Sequence, residues 1–213
     1  MKVAVQAVLW ILSLFFSYQI YDSVSGPIRF NKVKNERYAQ VINRLKDIRK
    51  AQIAHKDVKG VFANNFDSLV KFVDEGIFTL IEKRDSSYLE YDKSYRIDML
   101  REVIVIDTLG FAPVKDSLFG ESTSYKEMMN VPVEGVDATF EIKSQVIDKN
   151  GYKVPVFEVR VDKNVILFDQ DKDLLKQENE LISVDGVNGN AIILGSLTEV
   201  STNGNWPTIF DAQ

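Results

Sequence analysis

The chain has 213 residues, 45% of them hydrophobic and 27% charged, with a formal net charge of -5. That composition is globular, and its mild acidity argues against nucleic acid as the main partner. Cysteine is absent, which excludes disulfides and thiolate metal sites and leaves the compartment open.

The first element is an apolar run. Val3 to Tyr21 carries no charged side chain. At ~1.5 Å per residue, a helix of this length reaches ~29 Å, the hydrocarbon thickness of a bilayer. Val3, Val8, Leu9, Trp10, Ile11, Leu12, Leu14, Phe15, Phe16, Tyr18, Ile20 and Tyr21 are the candidate anchor, in a transmembrane segment 1–22. Tyr18 and Tyr21 lie at one end, where amphipathic rings suit the membrane interface. A cleaved signal peptide competes with this reading, since Ser23-Val24-Ser25 precedes Gly26 as a small-residue site. A buried core helix is the third reading. The run exceeds the ~7–15 residues of a signal-peptide core, which favours an uncleaved anchor. Only Lys2 and the amino terminus are positive before the span, whereas Arg29, Lys32, Lys34 and Arg37 follow it. Taken literally, the charge bias keeps the domain in the cytoplasm. However, those residues begin well beyond the span and long domains translocate regardless of charge, so charge leaves the orientation open.

Gly26-Pro27 predicts a kink or break, because proline removes a backbone donor. A helical stem follows over 23–57. Its apolar positions Tyr38, Val41, Ile42, Leu45, Ile48 and Ala51 recur at steps of three and four and form one stripe. The seam reaches Gln52 and His55 after two heptads, too short for a sustained coiled coil. Packing on the chain's own domain is therefore favoured over a partner helix. Gly60 marks a C-cap or tight turn. Asn64 to Asp67 supply cap candidates for a second helix, Ser68–Glu75, which buries Phe66, Leu69, Val70 and Val73 and stops at Gly76.

Strands dominate the remainder. The segments 77–83, 101–107, 138–147, 155–162, 164–169 and 191–196 are β-branched or alternating. Asp148-Lys149-Asn150-Gly151 is a hairpin turn signal. Residues 172–180 predict a short helix, and 84–98 and 111–135 predict connections with short elements. The expected fold is α+β: a transmembrane helix continuing, after a Gly-Pro break, into a long amphipathic helix packed on an antiparallel β-sheet. The head domain spans 58–213, and the stem packs on it.

Residues 44–76 resemble the end of the long helix and the following loop of type IV pilins and pseudopilins. Leu45, Ile48, Arg49, Ala51, Gly60, Phe62, Leu69, Val70 and Gly76 carry the match. The N-terminus departs from that family: Met1 to Gln6 contain no prepilin-peptidase site, and no acidic residue occurs before Asp22. The resemblance thus implies a pilin-like domain on an uncleaved anchor, facing the periplasm from the bacterial inner membrane. It implies a non-catalytic structural or docking role in an envelope assembly for secretion, pilus-like extension or motility. Membrane lipid and envelope proteins are the expected partners, with a homo-oligomer left open and no cofactor. An anchored periplasmic ligand-binding or enzymatic domain is the alternative, and a cytoplasmic-facing recruiter of soluble partners is another.

Candidate sites are few. Asp169, Asp171, Asp173 and Glu180 have the spacing of a calcium loop, but Leu174 stands where that loop requires glycine. Helix capping by an aspartate explains the same residues. His55, the only histidine, lies near a helix end among lysines and has no nucleophile motif beside it. The segment 185–190 is glycine-rich without a phosphate-loop lysine and reads as a turn. Trp206 is either a plug beneath the sheet or a partner anchor. Basic residues 29–37 are either a lipid-headgroup contact or a solvated helix face.

Overall fold

A computed structural model describes residues 2–92 and 95–210. It is an α+β structure in which one helix, α1, runs without interruption from Lys2 to Lys59. The break expected at Gly26-Pro27 is absent, since Pro27 sits inside α1. Proline in a helix interior costs ~3 kcal/mol through one lost hydrogen bond and a ring clash. Stopping there would instead orphan four carbonyls and four amides, so carrying the helix through is the cheaper solution. Gly60 ends α1 with φ +80 and donates its N–H to the Lys56 carbonyl at 2.7 Å.

The second half of α1 lies inside the core. Tyr38, Val41, Ile42, Leu45, Ile48 and Ala51 are buried in one cluster with Phe157, Val159, Ile192 and Leu194. Buried Gln52 completes the stripe: its amide donates to the Ala63 carbonyl and accepts from the Ala63 N–H, both at 2.9 Å. A polar side chain is tolerated there because both halves of its amide are satisfied. The first part of α1, by contrast, has no protein cover at all.

Helix α2, Phe66–Glu75, begins two residues before the expected start, with the Asn65 side chain accepting from the Ser68 N–H at 2.7 Å. A side chain at Gly76 would lie within 2.4 Å of the Phe72 carbonyl, so close approach rather than backbone angle requires glycine there.

Two antiparallel sheets follow. Strands β3 (Glu141–Lys149), β4 (Tyr152–Asp162) and β5 (Ala191–Gly195) form one, with β4 central. The β3–β4 turn forms at the predicted place, with Asn150 and Gly151 at positive φ. Strands β1 (Ile77–Asp92) and β2 (Ile97–Pro113) form a separate two-stranded arm. The connection expected over 84–98 is therefore mostly strand. Its polar residues give no alternation of their own, and pairing with the β-branched 101–107 run imposes the extended backbone. Between arm and sheet lie a short helix α3 (Val114–Leu118) and a 3₁₀ turn at Ser124–Glu127.

The strand expected at 164–169 is instead one helical turn, α4 (Lys163–Ile166). Consecutive Ile166 and Leu167 are both fully buried, and a strand would point one of them away from the core. Helix α5, Lys172–Asn179, is capped by Asp171, whose carboxylate accepts from the N–H groups of Asp173 and Leu174.

Candidate functional site

The most distinctive surface is the N-terminal half of α1. Trp10, Ile11, Leu14, Tyr18, Ile20 and Tyr21 are between 65% and 69% exposed, and the apolar side chains Val3, Val8, Leu9, Leu12, Phe15 and Phe16 are exposed as well. They surround the helix. A helix that is apolar on every side suits a lipid or protein environment rather than water. Among the described residues, α1 is the one helix long and apolar enough to cross a membrane, and its most apolar window has no burial.

Below that segment, two of the basic residues, Lys34 and Arg37, are held by the domain. Arg37 makes a two-pronged contact with Asp169, at 2.6 and 2.8 Å, and donates to the Ile166 carbonyl at 2.9 Å. The Arg37 hydrogen bond, assisted by Gln170, holds the Asp169 carboxyl well below its usual range. Lys34 donates to Glu178 at 3.0 Å, and Arg29 lies 3.6 Å from Asp22 on the same helix. Lys34 and Arg37 act as fasteners between stem and domain, whereas Arg29 and Lys32 are exposed.

Glu178 is the centre of a buried ionic cluster. Its carboxylate accepts from Lys34, from the Tyr38 hydroxyl at 3.3 Å and from Lys163 at 3.2 Å. Lys163 is fully buried and uses its remaining donors on the carbonyls of Glu178 and Val187, at 2.8 and 2.7 Å. Burial pushes the Lys163 ammonium down, with Glu178 opposing it. Burial first, and Glu178 second, push the Tyr38 hydroxyl far up. The cluster joins α1, α4, α5 and the loop before β5. It borders a cavity of about 190 Å³ also lined by Asp185 and Phe210. Chemically it is a lock: the carboxylate and the buried ammonium are each saturated by protein groups.

The other sequence candidates fall elsewhere. Asp169 is occupied by Arg37, Asp171 caps α5, Asp173 lies in the first turn of α5, and Glu180 is its C-cap. Among the described residues, no three His, Cys, Asp or Glu side chains converge on a common metal position. His55 contacts the Val61 carbonyl through Nδ1 at 2.6 Å and packs edge-on to Phe72. Trp206 is 7% exposed and belongs to the core, with the Arg49 guanidinium 5.4 Å from its ring centre. Its ring lies on Gly204, where an added Cβ would sit 2.1 Å from a ring carbon. It therefore fills the place of a plug and offers little surface to a partner. The segment 185–190 supplies Val187 to the core and the Asn188 side chain to the Ser183 N–H.

Sequence reasoning missed the Lys163–Glu178 pair and the β1–β2 arm. Neither carries a motif. Lys163 lies in a polar run, Asp162-Lys163-Asn164, that gives no sign of burial, and the β-branched run of β2 was the one available signal of the arm.

The fold and surface together define an α+β protein built on a single long helix whose N-terminal part is apolar enough to cross a membrane. No protein-family model, curated protein or solved structure matches the chain.

Proposed function

We propose that this chain is a single-pass membrane protein whose head domain is a non-catalytic docking or structural component of a bacterial envelope assembly. The apolar, uncovered start of α1 carries this reading. One unbroken helix leaves the proposed bilayer near Tyr21 and enters the domain core at Phe30. Nine residues of helix span ~14 Å, which would hold the head close to the membrane surface. A flexible tether suits a freely diffusing enzyme, whereas a short helical connection limits the head's orientations and suits docking. The head faces the periplasm in this proposal, in keeping with the pilin-like pattern of residues 44–76.

The test is fractionation and topology in intact bacterial cells. The full chain should stay with membranes through an alkaline wash and require detergent for release. A C-terminal reporter that works only outside the cytoplasm should be active. A chain freely soluble without detergent would overturn the anchor, and activity confined to a cytoplasmic reporter would reverse the topology.

A further inference from the structure

The β1–β2 arm has two long edges, and among the described residues its strands pair only with each other. A lone two-stranded ribbon is marginally stable in water. The two edges differ in kind. The middle of β1 reads Glu82-Lys83-Arg84-Asp85-Ser86-Ser87, a charged edge of the sort that discourages pairing. The middle of β2 reads Arg101-Glu102-Val103-Ile104-Val105-Ile106-Asp107, whose central four residues are apolar and exposed. Such an edge is a template for another strand.

We propose that β2 pairs edge to edge, antiparallel, with β2 of a second copy of this chain, about a two-fold axis through Ile104. The ends and the centre of the segment are complementary in that register. Rotation about Ile104 sets Arg101 opposite the second copy's Asp107 at both ends, Val103 opposite Val105, and Ile104 opposite itself; Glu102 falls opposite Ile106, where its exposed carboxylate stays in water. Arg101 and Asp107 share one face of the arm, since both lie an odd number of positions from Ile104. Within the arm that face already carries the Arg101–Glu90 ion pair at 2.5 Å and the Arg84–Asp107 pair. The guanidinium has donors enough to serve both carboxylates. The opposite face is more apolar and more open: Leu89, Leu100 and Ile104 are 67%, 63% and 64% exposed. Joining two arms would make a four-stranded sheet in which the Ile104 side chains of the two copies meet at the centre of this face. A closed isologous contact of this kind is the commonest form of self-association. The pairing depends on the arm alone and does not require the membrane or envelope reading.

The natural absence of cysteine makes the test clean. Directly opposed residues in an antiparallel pair have Cα atoms ~4.5–5.5 Å apart, within disulfide reach. Full-length Ile104→Cys, in detergent and in native membranes, should form a covalent dimer on mild oxidation. Mixed Val103→Cys and Val105→Cys chains should cross-link to each other in preference to themselves. Ser87→Cys on β1 should stay monomeric, because its copy would lie about three strand spacings away across the sheet, ~14 Å, and further still along the strands. Ile104→Lys, at an exposed position opposite Asp85, should leave the circular dichroism unchanged and lower the dimer fraction at least ~10-fold. A monomeric mass for the unmodified chain, or equal cross-linking at 87 and 104, would overturn the pairing. Protection of the introduced thiol at 104 by lipid, without dimer, would overturn it in favour of membrane burial of the arm.

Discussion

Replacing Glu178 with glutamine strands a buried ammonium, and the cost follows from the geometry. Glu178 lies 6% exposed between Lys34, Tyr38 and Lys163. Glutamine keeps one acceptor oxygen but turns its NH2 donor toward another donor. Lys34 is partly exposed and can rehydrate, whereas Lys163 is fully buried and cannot. Breaking a buried ion pair costs ~3–5 kcal/mol. Lys163 retains two carbonyl acceptors, which places Glu178→Gln near the lower end, ~3 kcal/mol. Against a total stability of ~5–15 kcal/mol, that is a large fraction. The assay is denaturant unfolding of the full chain in detergent, followed by Trp206 fluorescence in a Trp10→Phe background. Lys163→Met in the Glu178→Gln chain removes the stranded charge, so the double variant should lose less stability than the two single losses added together. A loss below ~1 kcal/mol for Glu178→Gln, or strict additivity, would refute the assignment of the pair as a buried lock.

Three further outcomes follow from the same structure. Leu45→Ala empties a fully buried site between stem and sheet and should cost ~2–5 kcal/mol in the same unfolding assay. Gly204→Ala drives a methyl into the Trp206 ring, so it should cost ~1–3 kcal/mol and shift Trp206 emission to longer wavelength. Asp169 has a folded pKa depressed below 3.8 by Arg37, so its contribution is complete above that pH and is lost as the pH falls through the folded value. The acid limb of stability against pH should therefore be shallower in Arg37→Met than in the parent, as measured by unfolding midpoints from pH 6 downward.

Some of this protein is written in local sequence. The stripe from Tyr38 to Ala51, the Asn65 cap, the Asn150-Gly151 turn and the uncharged Val3–Tyr21 run each act through neighbours a few residues away. Helical steps, capping spacing and turn angles therefore reveal them. Pro27 misled because local propensity prices a proline against one lost bond and ignores the backbone groups that a break would orphan on both sides. The 164–169 run misled because it is β-branched, yet Ile166 and Leu167 both face the core and a turn alone permits that. Residues 84–92 became strand only because β2, five to twenty-one positions away, supplies their hydrogen bonds.

By itself the sequence determined the α+β class, the apolar start and the helical face that would be covered, since these depend on composition and short-range periodicity. Tertiary structure decided that Glu178 and Lys163 would meet in the core and that Arg37 would bind Asp169. It also decided that Trp206 would lie against Gly204 and that the β1–β2 arm would stand outside the core. Burial of charge and long-range strand pairing depend on which distant elements enclose a residue, and no local pattern encodes that enclosure.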